Sequence, residues 1–234
     1  MLPTIKIGAI VIDTYTLLMG VGMLGMFVHV LVRRKKVNLS ILQAFLFTLL
    51  MIFVGLVGAI LLGYVSWGQI GSMDMFGAIF LIVPTIPIVG KLFGLTSMQS
   101  HDLSAFCMAI VNTFIKIGCL FAGCCEGIIV YVGSRYFQWP LQLTICLADI
   151  FIILLLLRIE SNGNKQGALY PLFLISYGLM RFFADRLMYF ETVWLGLRPA
   201  QWYGLIAAVI GCIWLVIYKE RIGQTNPQCL KVEV

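Results

Sequence analysis

The residues Lys116-Ile117-Gly118-Cys119-Leu120-Phe121-Ala122-Gly123-Cys124-Cys125-Glu126-Gly127 place a cation, three thiols and a carboxylate at the far end of a long apolar segment. A lysine near the centre of a membrane helix costs about 2.5–3.5 kcal/mol, so packing alone is a poor reason for Lys116. Two roles stay open for it: snorkelling to the near interface, or holding a phosphate. Gly118 and Gly127 let a backbone or a polar headgroup come close. A second wall comes late in the chain. Arg181 and Asp185 are four residues apart, share a helix face and can pair. The pair is either a structural ion pair or an arginine aimed at a phosphate by its carboxylate. Arg186 faces elsewhere and reads as interfacial. Two cations at similar depth in one bundle point to an anionic headgroup.

The thiols admit three readings. A zinc site is disfavoured, because C-x4-C-C is not a usual ligand spacing and no fourth ligand lies nearby in the sequence. A thiol–disulfide couple and small packing residues at a helix end remain. His29 reads as interfacial, and His101 falls at the other end of the same segment from Cys124. Asp102 is expected to cap that segment. Asp149 lies mid-segment and needs a partner. Gln142 and Gln201, near the outer ends of their segments, are either headgroup donors or ordinary interfacial residues.

These residues need a membrane to sit in. The chain of 234 residues is 61% hydrophobic and 11% charged, with a mean hydropathy of +1.01. That composition excludes a soluble domain. The net charge of +6 fits loops facing anionic lipid rather than nucleic acid. The first apolar segment is too long for a cleaved signal and lacks a small-residue cleavage site. Seven cysteines, mostly inside apolar segments, do not form a secreted disulfide framework.

At about 20 residues per span, the expectation is an all-α polytopic protein of about seven transmembrane helices. The segments run over about 7–32, 41–65, 73–93, 102–123, 140–157, 168–187 and 200–218. Gly20, Gly22 and Gly25 in the first, and Gly55, Gly58 and Gly63 in the second, mark close-packing faces. Pro84 and Pro87 should kink or break the third, making it a discontinuous helix at a cavity. Residues 1–221 form one membrane domain, and residues 222–234, with Pro227 and Cys229, a disordered cytoplasmic tail.

Lysine and arginine placement orients the bundle. With Arg33, Arg34, Lys35 and Lys36 inside, the same side collects Lys91, Arg158, Lys165, Lys219, Arg221 and Lys231. Lys6, Arg135 and Arg198 fall on the other side, with Arg186 at its border. The amino terminus is then outside and the carboxyl terminus cytoplasmic. Lys116 and Arg181 lie in the outer halves of their helices.

The order of these features resembles the prolipoprotein diacylglyceryl transferase family. The run from Lys116 to Gly127 is similar to that family's R-I-G-N-F-x-N-G-E-x-x-G signature in a cysteine-rich form. Pro140-Leu141-Gln142-Leu143 is similar to its P-x-Q-L, Arg181 with Asp185 to its R-x-x-x-E pair, and Gln201 to the glutamine of its G-Q segment. Tyr15 resembles the tyrosine of its first helix, and Asp102 the aspartate opening its signature helix. The resemblance covers most of the chain in order. It departs at several points. Phe76-Gly77-Ala78 stands where the family has histidine-glycine-glycine. Lys116 replaces an arginine, a change that keeps charge but loses bidentate binding. Cys119 replaces an asparagine and Cys124 a glutamate, with Glu126 two residues on. Thr144-Ile145 replaces Tyr-Glu.

The resemblance implies a multi-pass enzyme of the bacterial-type cell membrane, with neither metal nor cofactor. It would move a diacylglyceryl group from phosphatidylglycerol, or another anionic phospholipid, to the thiol of a lipobox cysteine in a preprotein. Lys116 and Arg181 would stabilise the phosphate leaving group, and Asp185 would orient Arg181. Glu126 is the candidate base. Tyr15, Gly118, Cys119, Cys124, Gly127, Gln142 and Gln201 would contact substrate. Two alternatives stay open: a phospholipid-binding relative that is non-catalytic or uses another acceptor, and a membrane thiol oxidoreductase built on Cys119, Cys124 and Cys125.

Overall fold

The computed structural model describes residues 4–7, 10–162, 166–189 and 194–225. Among the described residues, seven α-helices follow one another: α1 (Thr14–Arg33), α2 (Ile41–Trp67), α3 (Met75–Leu92), α4 (Ser97–Ala122), α5 (Leu141–Ser161), α6 (Leu169–Ala184) and α7 (Pro199–Thr225). Two antiparallel hairpins accompany them. Strands β1 (Thr4–Ile7) and β2 (Ile10–Asp13) precede α1, while β3 (Ile129–Val132) and β4 (Arg135–Gln138) lie between α4 and α5. The stretch expected to begin the first span near Ile7 is therefore hairpin up to Asp13. That aspartate ends it by accepting from the Thr16 N–H as the α1 N-cap.

Six of the helices are long and apolar enough to cross a membrane, so the chain is a multi-pass helical membrane protein. Helix α6 has 16 residues, about 24 Å at 1.5 Å per residue. A 3₁₀ turn over Asp185–Leu187 continues it, completing the segment expected over 168–187. Helix α7 runs on to Thr225, so 222–225 continue the helix instead of opening a tail. Residues 226–234, and with them Lys231, lie outside the described residues, as does Lys165.

Helix α4 is the axis of the bundle. It packs against α1, α3, α5 and α6, and 56% of its apolar stretch is buried, against 17% for α1. Without a hydrophobic drive between helices in lipid, close backbone approach carries the packing. A Cβ on Gly58 would run into the Gly77 carbonyl, and one on Gly178 into the Gly204 carbonyl, which seats α2 on α3 and α6 on α7. Gly22 and Gly25 meet α4 at Val111, Phe114 and Ile110, whereas Gly20 faces open space.

Helix α3 is continuous through both prolines, so of the expected kink or break, the break does not occur. Pro87 cannot donate to the Val83 carbonyl four residues back. That carbonyl instead lies 3.0 Å from Nε2 of His101, whose Nδ1 is 2.8 Å from the Ser97 carbonyl. His101 is thus a structural substitute for a missing backbone donor. Asp102 is not the α4 cap either. Thr96 caps α4 in a capping box with Gln99, and Asp102 reaches across to accept from the Gly167 and Leu169 N–H groups at the start of α6. Asp149 finds its partner in Asn112, whose amide donates to it over 2.5 Å. The ring of His29 packs half-buried on Phe106.

Candidate active site

Helix α4 ends in a left-handed Gly123 (φ 74°), whose N–H bonds the Cys119 carbonyl at 3.0 Å; the Cys124 N–H reaches the same oxygen at 3.1 Å. Glycine is the residue that takes this C-terminal position without strain. Cys125 then adopts φ 58°, uncommon for a residue with a Cβ, and the chain doubles back under the helix end. The loop is pinned by backbone. Ile128 donates to the Leu187 carbonyl, Tyr189 to that of Glu126, and Trp139 to that of Ile128. The space a Cβ would need at Gly127 is filled by the Trp139 carbonyl, and that at Gly118 by Tyr15. Both glycines serve close packing of the protein on itself, the backbone approach that was one of the two roles expected of them, and leave no room for a headgroup.

A cavity of about 470 Å³ opens beside this loop. Its polar wall holds Asp74, Lys116, Tyr177, Arg181, Asp185 and Arg198. Lys116 is buried, so it does not snorkel free of the protein. Arg181 Nη2 lies 3.0 Å from Asp185 Oδ1, and the aspartate is 1% exposed. Arg198 donates to the Asp185 backbone carbonyl. Two donors on this wall are unspent: Arg181 Nε and the Tyr177 hydroxyl are buried with no hydrogen-bond partner. Buried donors are nearly always paired, so these two stand out as the free donors of this wall. Asp74, the α3 N-cap, accepts from the Phe76 N–H at 2.8 Å. Burial raises its carboxyl above the ordinary range, against the pull of that bond and of the Arg181 and Lys116 charges.

A second, apolar cavity of about 160 Å³ shares Met73, Met75, Lys116 and Cys125 with the first. Tyr15, Asn112 and Cys119 line it, together with seven methionines: Met19, Met23, Met26, Met51, Met73, Met75 and Met108. Unbranched thioether side chains adapt to irregular apolar shapes. The two cavities thus share a wall, with one polar and the other lined by methionines.

The remaining expected residues divide. Cys119 is buried and Cys124 exposed; their sulfurs and that of Cys125 lie within 4.8 Å of one another. Hydrogen bonds among the three thiols and the nearby Lys116 ammonium hold the Cys125 thiol well below its ordinary value. Gln142 spends a donor on the Cys124 carbonyl at 2.6 Å, fixing the loop. Gln201 donates to the Phe182 carbonyl and accepts from the Arg198 N–H, clamping α6 to α7. Both glutamines, expected as headgroup donors, act as struts. Glu126 lines neither cavity; it is exposed and accepts from Gln138 at 2.8 Å. With its carboxylate on Gln138 of β4, it is not brought to either cavity wall.

Sequence reasoning passed over Asp74, Tyr177 and Arg198. Tyr177 stood four residues before Arg181, a spacing that shares its face. Asp74 stood where an apolar run begins, the position of an N-cap. Phe76, at the place of the family histidine, is buried with its ring 5.4 Å from that of Tyr177, and it lines the polar cavity.

The model of the prolipoprotein diacylglyceryl transferase family matches residues 3–218. Among curated proteins, the chain is 24% identical over 169 residues to a phosphatidylglycerol–prolipoprotein diacylglyceryl transferase of Clostridium novyi, covering 69% of this chain and 60% of that one. It is 32% identical over 79 residues to the protein of the same name in Streptococcus mutans, covering 34% and 30%. The chain thus spans less than two thirds of the length of either relative. With the match running from residue 3 into α7 at Tyr218, the chain belongs to the prolipoprotein diacylglyceryl transferase family.

Proposed function

We propose that this protein transfers a diacylglyceryl group from phosphatidylglycerol, or a related anionic phospholipid, to the thiol of a lipobox cysteine in a preprotein. The observation that carries the reading is the polar cavity, with Lys116, Arg181 and the unspent donors of Arg181 Nε and Tyr177, joined to the methionine slot. The acceptor sulfur attacks the glycerol carbon. The carbon–oxygen bond to phosphate breaks, and its electron pair leaves with glycerol phosphate. The thiol proton passes to solvent. Charge grows on the phosphate oxygens, where fixed cations in a water-poor site are most effective. Arg181, held by Asp185, and Lys116 would hold those oxygens, and Tyr15 and Cys119 would border the lipid chain. Cys124, Gln142, Gln201, Gly118 and Gly127 support the walls.

The test uses purified protein in detergent, phosphatidylglycerol with a labelled diacylglyceryl moiety, and a lipobox peptide. A diacylglyceryl mass increment on the peptide cysteine, lost in Arg181→Ala, is expected. Full transfer by that variant would remove the site as drawn.

A second reading, phospholipid binding without this transfer, is favoured by Phe76, which puts an apolar ring where the family has a histidine. It predicts saturable lipid binding with an unmodified peptide.

A further inference from the structure

We propose that Cys119, Cys124 and Cys125 form a three-thiolate site for a thiophilic d10 metal ion, zinc(II) ahead of copper(I). The spacing objection raised by C-x4-C-C assumes that the chain runs on past the helix. It does not. Left-handed Gly123 (φ 74°) and Cys125 (φ 58°) fold it back, so that all three sulfurs meet at the end of α4 within 4.8 Å of one another. The Cys119 and Cys125 sulfurs are 3.9 Å apart. Metal–sulfur bonds of about 2.3 Å place ligand sulfurs about 3.8 Å apart in a tetrahedron and about 4.0 Å apart in a trigonal plane. The Cys119–Cys125 pair therefore already has the separation that such an ion requires, and the Cys124 sulfur lies within 4.8 Å of both. The loop that carries it is held from outside by Gln142 on the Cys124 carbonyl and by the backbone pairing of 126–128 with 187–189.

Charge orders the candidates. Three thiolates with a divalent ion leave a single negative charge beside the Lys116 ammonium, which lines the same two cavities as Cys125. A monovalent ion leaves one more negative charge. Among the described residues no fourth His, Cys, Asp or Glu joins the group. A zinc ion here keeps an open position, the pattern of a reactive site rather than a closed structural one. This inference does not depend on the transfer reaction, and its readout is metal content.

The purified, reduced full chain in detergent is loaded with zinc(II), cobalt(II) or copper(I), desalted and assayed for bound metal. The expected result is about one zinc per chain, with thiolate-to-cobalt charge-transfer absorption in the cobalt form. Both are lost in Cys119→Ser and Cys125→Ser and kept in Cys212→Ser, whose cysteine is exposed and remote in the chain. Retention of copper(I) with no zinc would keep the site and reverse the order of ions. A second measurement needs no variant: in the wild-type protein, loaded metal should protect Cys119, Cys124 and Cys125 from maleimide labelling read by peptide mass, while Cys212 labels equally with and without metal. A folded wild-type chain that retains no metal, or a triad that labels equally in both states, overturns the proposal. A disulfide within the triad in protein that has never been reduced, together with no metal uptake after reduction, overturns it in favour of a thiol couple.

Discussion

The two ends of the bundle treat their charges in opposite ways. At the end where α1 stops, the charged groups Arg33, Lys36, Glu160 and Asp102 are spent on the protein, although His29 Nε2 is buried there without a partner. Arg33 pairs with Glu160 and stacks 4.3 Å over Phe106, and Lys36 reaches the same glutamate at 3.6 Å. Asp102 gives both oxygens to backbone N–H groups at the start of α6. At the end where α4 stops, Arg181 has one ion-pair partner but leaves Nε unpaired, and Tyr177 leaves its hydroxyl unpaired. A buried donor without a partner costs about 1–3 kcal/mol. The charged groups are paired at one end, and at the other a guanidinium nitrogen and a hydroxyl stay free beside a cavity, as the proposed headgroup site requires. On the proposed function, the difference separates charges that hold the bundle from charges that receive a ligand.

The comparison is tested most severely at its two arginines. Arg181→Ala should lower transfer by about 10²–10³-fold, the usual effect of removing one preorganised donor to a developing oxyanion. It also strands the buried Asp185 carboxylate. Arg181→Lys, which keeps the charge and loses the fork, should stay folded by size-exclusion chromatography while recovering only part of the rate. Arg33→Ala should do the reverse, lowering the thermal midpoint while transfer per folded molecule stays within about twofold, since distant sites act independently. A loss of transfer in Arg33→Ala equal to that in Arg181→Ala would erase the distinction.

Gly178→Leu should destabilise by about 1–3 kcal/mol through overpacking against the Gly204 carbonyl, measured by thermal unfolding in detergent; an unchanged midpoint would mean that the α6–α7 seam is looser than drawn. Asp102→Ala removes a cap worth about 1 kcal/mol and should shift unfolding without changing lipid binding. The smallest effect belongs to Glu126→Gln. With the side chain on Gln138 and outside both cavities, transfer should change by less than about twofold, as at surface positions generally. A large loss there would return the carboxylate to the chemistry and force the loop to be redrawn.

Much of the architecture was legible in advance because lipid leaves a chain few options. Apolar runs of about 20 residues must be helices when no water can satisfy the backbone. So the seven helices, the cation in the fourth and the Arg181–Asp185 pair at four-residue spacing could all be read from residue order, as could the family from the run ending at Gly127. What the order of residues could not decide is where each polar group spends its hydrogen bonds, because those partners lie far apart in the chain. His101 serves the carbonyl freed by Pro87, in a helix expected to kink or break that stays continuous. Asp102 caps a helix that begins 67 residues later, at Leu169. Gln142 and Gln201 turn inward as struts, and Glu126 turns out to Gln138. Tyr177 and Arg181 Nε are left facing the cavity, and two left-handed residues bring three cysteines to one point. Residue types and local periodicity depend on the chain alone; pairing depends on which helices pack together, and only the tertiary structure decides that.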